Sequence, residues 1–301
     1  MVCVVSHDAG GAEIISSYVR QNKIECKFVL TGPAATIFER KLGKLHIQDL
    51  EQAILTSDFL LCGTSWQSDI EWQAISIARK LGKKSVAFLD HWVNYRERFI
   101  RLGQLNLPDE IWVGDLLAKE KASIIFPELK VILIENPYFL DLKLEIDRLD
   151  KNRTQFSSSG KILYVCEPIR EHALREYGDE RYWGYTEEEA LRYFLSNIQS
   201  LDVKLDQIIV RPHPSESTDK YDWIFKEFDL PIYAGGIETL FDELLRCEIV
   251  VGCESMAMII GMLAGRRVIS CIPPGGSRCK LPQQNIEIMQ ELISVKRRIK
   301  L

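Results

Sequence analysis

The chain opens on a short β-branched run at residues 2–6, steps through His7-Asp8-Ala9-Gly10-Gly11, and continues with apolar residues at helical spacing from Ala12 to Arg20. A short apolar run bounded by turn residues reads as a buried strand. Apolar positions three to four residues apart read as an amphipathic helix. The unit repeats, with strands predicted at 26–31, 59–62 and 85–89 and helices at 34–42 and 68–81. Two more apolar pieces, 110–113 and 131–134, extend the series, the second running into Asn136-Pro137. Strands that alternate with helices imply a parallel sheet covered on both faces.

From 141 the pattern becomes charged, then small and polar through Ser157-Ser158-Ser159-Gly160, the composition of a connection between domains. A second alternating series follows, with strands predicted at 161–166, 207–211, 248–251 and 267–271 and helices at 187–198, 237–246 and 255–264. The expected organisation is a first Rossmann-like domain at 1–145, a linker at 146–160, a second domain at 161–284 and a C-terminal helix at 285–301. The fold class is α/β, two doubly wound Rossmann-like domains facing across a cleft. Ligands of open α/β sheets bind at the carboxyl ends of the strands, so the loops that follow strands carry the candidate chemistry.

Composition narrows the function. With 301 residues, 46% hydrophobic and 27% charged, the chain can bury a sizeable core and is not disordered. A net charge of −5 argues against a protein that coats nucleic acid, which needs a clustered excess of Lys and Arg. No run approaches the roughly 18 apolar residues that span a bilayer, and the start lacks the pattern of a signal peptide, so a cytoplasmic protein is expected. Cysteines 3, 26, 62, 166, 247, 253, 271 and 279 form no C-x-x-C pair and read as buried free thiols. Neither an Asp-x-Asp beside a strand end nor a P-loop is present. No metal or other cofactor is therefore expected, and phosphate charge would be met by helix dipole, histidine and arginine.

Five loops stand out. In Ser6–Glu13, Gly10 and Gly11 permit close approach of a ligand to the backbone, and Asp8 or His7 could take a proton from an attacking hydroxyl; alternatively Asp8 caps the helix and His7 packs. In Cys62–Glu71 the hydroxyls suit a polar ligand, but Ser68 and Glu71 have the spacing of a capping box. In Leu89–Phe99, Asp90, His91 and Arg96 stand among aromatics, as in a sugar-binding acceptor site or a knot of ion pairs. In Arg211-Pro212-His213-Pro214 the prolines stiffen the backbone and present His213 in a defined direction, suited to donating to a phosphate. In Gly252-Cys253-Glu254-Ser255-Met256 a helix start offers N–H groups and the Ser255 hydroxyl to phosphate, with Glu254 placed for ribose; an N-cap serine is the competing account. Glu167 and Arg170, after the first strand of the second domain, face the same region, Arg170 as a partner for donor phosphate or as a solvated side chain. Pro273–Lys280 has the mobility of a lid.

The doubly wound pair, the glycine-rich turn after the first strand, Arg211-Pro212-His213-Pro214 and Glu254-Ser255 resemble the GT-B glycosyltransferases of bacterial surface-polysaccharide biosynthesis, nearest to sialyltransferase, polysialyltransferase and Kdo-transferase-like enzymes. The resemblance implies a second domain that binds a nucleotide-sugar donor and a first domain that supplies the base and the acceptor site. His213 and Pro214 match the His-Pro motif of these enzymes, and Ser255 matches their phosphate-binding serine. Their paired acidic motif followed by glycine is absent, and His7-Asp8-Ala9-Gly10 is the nearest equivalent. The expected activity is metal-independent transfer of a sugar, with a CMP-linked donor as the leading candidate, to a glycan or lipid-linked acceptor. Two rivals share the architecture: a non-hydrolysing UDP-sugar 2-epimerase, and a nucleotide-sugar-binding subunit without catalysis. The basic tail Lys296–Leu301 leaves room for peripheral contact with anionic lipid, a solvated helix end being the simpler account.

Overall fold

The computed structural model describes residues 1–65, 68–151 and 159–299. The chain divides into two compact units, Met1–Asp141 and Leu142–Leu301. In chain order the first contains β1 (Val2–Ser6), α1 (Ala9–Asn22), β2 (Cys26–Leu30), α2 (Pro33–Leu42), α3 (Leu50–Leu55), β3 (Phe59–Cys62), α4 (Ile70–Lys80) and β4 (Lys84–Leu89). A small hairpin of β5 (Ile100–Arg101) and β6 (Gln104–Leu105) precedes β7 (Glu110–Val113), α5 (Leu116–Ile125) and β8 (Lys130–Leu133). The division falls inside α6 (Pro137–Lys151).

The six-stranded sheet of the first unit is parallel throughout, in the order β2-β1-β3-β4-β7-β8. Beyond β2 it is extended by one residue pair, Phe28 with Ile47. Strands β1, β3 and β4 bury both faces, which is why their sequences are continuous apolar runs. Ile15 on α1 and Phe38 on α2 are fully buried in the cluster that also contains Val4 and Phe88.

The second unit contains β9 (Lys161–Val165), α7 (Ile169–Tyr177), α8 (Glu187–Ser196), β10 (Gln207–Arg211), α9 (Ile224–Glu227), β11 (Ile232–Ala234), α10 (Leu240–Leu245), β12 (Ile249–Gly252), α11 (Met256–Leu263), β13 (Arg267–Ser270), β14 (Ile286–Ile288) and α12 (Met289–Ile299). Its parallel sheet runs β11-β10-β9-β12-β13-β14. In each unit the chain winds outward on one side of the first strand and returns on the other. The crevices of these switch points lie at the ends of β1 and β3 and at the ends of β9 and β12.

Several expected boundaries move. The first helix starts at Ala9, not Ala12, so Gly10 and Gly11 are helical residues and not a turn with positive φ. The expected linker is helical as far as Lys151, because Leu142 and Ile146 recur at helical spacing and are buried among the charges; residues 152–158 of it lie outside the described residues. The C-terminal helix begins at Met289, after β14, and Lys300 and Leu301 of the basic tail are outside the description. All eight cysteines are free, six of them buried. Among the described residues no helix is long and apolar enough to cross a membrane.

Candidate functional site

In the second unit, a cavity of about 290 Å³ opens beside the switch point, where loops from the ends of β9, β10 and β12 meet. Glu167, His172, His213, Glu254, Ser255 and Met256 line it. Trp183 and Tyr185, from the loop before α8, form an aromatic wall.

His213 is presented by a pinned loop. Its backbone N–H donates to Glu216 Oε2 at 2.9 Å, while Glu216 Oε1 accepts from Lys220 Nζ at 2.7 Å and from the Tyr221 hydroxyl at 2.9 Å. The Ser215 backbone N–H donates to His213 Nδ1 at 3.2 Å, and the Ser215 hydroxyl lies 2.7 Å from the same nitrogen. A backbone N–H can only donate, so Nδ1 accepts and the neutral ring carries its proton on Nε2. Burial pushes the imidazole below its ordinary pKa, against the opposing pull of Glu216 and Glu171.

Ser255 is the N-cap of α11, and its Oγ accepts from Ala257 N at 3.2 Å, which leaves the hydroxyl proton to donate elsewhere. Two of the backbone N–H groups expected to receive a phosphate are already engaged. Glu167 Oε1 accepts from Cys253 N at 2.8 Å and from Glu254 N at 2.9 Å. Glu167 is therefore held beside the start of α11, and burial lifts its carboxyl to about 7. Glu254 Oε2 accepts from Lys280 N at 3.0 Å. The same Pro273–Lys280 loop is tied to the aromatic wall by Ser277 N donating to Trp183 O at 2.9 Å.

Three other residues expected here are placed elsewhere. Arg170 donates to Glu188 Oε1 at 2.9 Å and does not line the cavity. Arg211 donates to the Glu238 carbonyl at 3.0 Å and to buried Glu243 at 2.7 Å, locking the end of β10 to α10. Pro214 is exposed outside the cavity. In both arginines a nearby glutamate claims the guanidinium. His172 was not singled out by the sequence, because it stands on the short α7 among Arg170, Glu171, Arg175 and Glu176 with no motif to mark it.

The first unit gathers polar groups at the ends of β1, β3 and β4. Asp8 is the N-cap residue of α1, yet its side chain makes no capping bond; Oδ1 accepts from Ser65 Oγ at 2.6 Å. His7 is half-buried beneath Gly32, with Nδ1 2.8 Å from Thr31 Oγ1 and Nε2 4.0 Å from Asp8 Oδ1. Gly10 serves by lacking a Cβ: one built there would collide with Asp90 Oδ2. Gly11 lies against Gly63, whose Cα would stand 3.4 Å from an added Cβ. Asp90 is paired with Arg98, not Arg96, at 2.8 Å, and Arg98 also donates to the Thr64 carbonyl at 3.0 Å. Arg96 is exposed, and His91 packs edge-on against Trp92.

The capping box expected of Ser68 and Glu71 does not form. Helix α4 starts after Asp69, and Glu71, 3% exposed, instead accepts from His7 N at 2.9 Å. Its Oε2 is buried without a hydrogen-bond partner. Burial lifts this carboxyl to about 7. Trp66 and Gln67 of the same loop lie outside the described residues. Among the described residues no group of three or more His, Cys, Asp or Glu is placed to hold a metal ion.

The fold is thus of the GT-B class, two doubly wound parallel-sheet domains. The chain is similar to the solved UDP-GlcNAc 2-epimerase from Methanocaldococcus jannaschii, with a TM-score of 0.67 and 10% identity over 98% of this chain and 91% of that one. It is similar to the Neisseria meningitidis UDP-GlcNAc 2-epimerase solved with UDP-GlcNAc (TM-score 0.63, 12% identity, 99% of this chain and 91% of that one). The glycotransferase of kitacinnamycin also matches, with a TM-score of 0.53 and 11% identity over 98% of this chain and 83% of that one. No protein-family model matches the chain, and no curated protein does. At such identities the likeness establishes the fold, and function must be argued from the sites.

Proposed function

We propose that this chain is a glycosyltransferase that moves a sugar from a nucleotide donor, CMP-linked as the first candidate, to a glycan or lipid-linked acceptor. The observation that carries the reading is the cavity of the second unit, which gathers His213, Ser255, Glu254, Met256 and Glu167 from separate loops at the carboxyl ends of its strands. In this reading the cavity holds the donor. The Nε2–H of His213 and the Ser255 hydroxyl meet the leaving phosphate without a resident cation, and the aromatic wall packs against the nucleoside.

Asp8 is the base. Its carboxylate takes the proton of the acceptor hydroxyl, the freed oxygen bonds to the anomeric carbon, and the bond from that carbon to the phosphate oxygen breaks with its electron pair on the phosphate. The Ser65 hydrogen bond orients the carboxylate. Asp90 and its surroundings serve the acceptor side.

The epimerase reading is retained because UDP-GlcNAc 2-epimerases match over nearly the whole chain. One experiment separates the two. Purified protein is offered CMP-, CDP- and UDP-linked sugars with and without glycan acceptors, after a thermal-shift screen with CMP, CDP and UDP. Sugar transfer that requires an acceptor supports the proposal; an isomerised UDP-sugar formed without acceptor overturns it in favour of the epimerase.

A further inference from the structure

We infer that His172, on α7, is a second phosphate-binding imidazole of the second unit's cavity, and that an anion bound between it and His213 draws a proton into the site. This rests on reading the cavity as the seat of the donor phosphate.

The cavity wall contains the carboxylates Glu167 and Glu254 and, among the described residues that line it, neither lysine nor arginine. The two arginines nearest in sequence, Arg170 and Arg211, are committed to Glu188 and Glu243. Glu167 already accepts from Cys253 N and Glu254 N, which removes two of the backbone donors that lead into α11. A phosphate entering this cavity therefore finds, besides the neutral Ser255 hydroxyl and the Trp183 and Tyr185 side chains, two imidazoles as the lining donors that can become cationic.

The imidazoles are set up to respond. Both line the cavity, and both are held below the ordinary histidine pKa: His172 by burial, then by Arg175 on its own helix and by His213 across the cavity. Glu171 and Glu176 on α7 pull His172 the other way, as Glu216 and Glu171 do for His213. Burial favours the neutral form of each ring. An anion between the rings favours the charged form of each, so binding is coupled to proton uptake and tightens as pH falls from 8 towards 6. Protonation of Glu167, whose carboxyl stands at about 7, would add to the uptake and relieve its repulsion of the phosphate.

Calorimetric titration of the full chain with CMP and with inorganic pyrophosphate, in buffers of different ionisation enthalpy, tests this. The expected result is net proton uptake near pH 7. H172Q should weaken binding about tenfold, the loss of one charge-assisted hydrogen bond, and reduce the uptake, with an unchanged thermal midpoint. H172N serves as the second variant should H172Q fold poorly. Wild-type affinity and wild-type uptake in a folded His172 variant overturn the inference. Pyrophosphate bound in a His172-dependent way, with no sugar transferred from any nucleotide donor, keeps it and ends the transferase reading. Wild-type protein that binds neither probe ends both.

Discussion

The two units solve the same topological problem with the same device and then diverge. Each places a buried glutamate with a carboxyl at about 7 across its switch point: Glu71 reaches from α4 to the backbone after β1, and Glu167 reaches from the end of β9 to the backbone after β12. Around Glu71 the polar groups close on one another, Asp8 with Ser65 and Asp90 with Arg98. Around Glu167 the lining groups are imidazoles and an aromatic wall about a cavity. The shared scaffold fixes where chemistry can occur; the loop side chains decide which groups, paired carboxylates or imidazoles, are presented there.

The largest way to test that contrast is at Asp8. If the first unit supplies the base and the second holds the donor, D8N lowers turnover by about 10² to 10⁴-fold and leaves CMP affinity unchanged, as read by steady-state kinetics and calorimetry. Equal losses in both would mean that the division of labour is wrong.

Next is the buried ion pair. R98M leaves the Asp90 charge without its partner and should cost about 3–5 kcal/mol in urea unfolding. R170Q, at a half-exposed ion pair of the second unit, should cost under about 1 kcal/mol. Similar costs would remove the distinction between a closed network and a surface one.

The paired glutamates give a pH test. A carboxyl raised from 4.5 to about 7 on folding binds its proton more tightly in the native state, so its contribution to stability is fully present below about 4.5 and is lost as pH rises through 7. For Glu71 the loss by pH 8 is on the order of 3 kcal/mol. E71Q should flatten the fall in stability between pH 5 and 8, and E167Q should do the same. Flattening by one variant only would show that the two carboxyls are not equivalent.

The smallest effects concern the glycines beneath the first site. G10A forces an added methyl onto Asp90, which Arg98 holds, and should cost about 1–3 kcal/mol. G11A meets only ordinary contact with Gly63 and should gain up to about 1 kcal/mol from helix propensity. Thermal midpoints of opposite sign check this.

Much of the scaffold was legible because buried parallel strands leave continuous apolar runs, and the loops that follow them could be located to within a residue or two. The side-chain partners were not. Ser68-x-x-Glu71 satisfies a local capping pattern and a long-range bond to His7 equally well on paper, and only packing decides between them. Arg96 and Arg98 differ by two positions in a loop with no period, so nothing local marks which one turns inward to Asp90. His172 sits on a helix dense in charge, and its meaning depends on His213, forty-one positions away in the chain. The Glu167 carboxylate lines the cavity as expected of its position after β9, and its bonds to Cys253 N and Glu254 N could not be read from the sequence.

The single pairing of Ile47 with Phe28 has a practical consequence. With one bridge and the Gln48 N–H to Phe28 carbonyl bond at 2.9 Å as its attachment to the sheet, the segment between α2 and α3 is a seam where foreign sequence could be spliced in. A fluorescent reporter or affinity handle inserted after Gly43 would ride on the rim of the first unit's sheet, on the flank opposite β8.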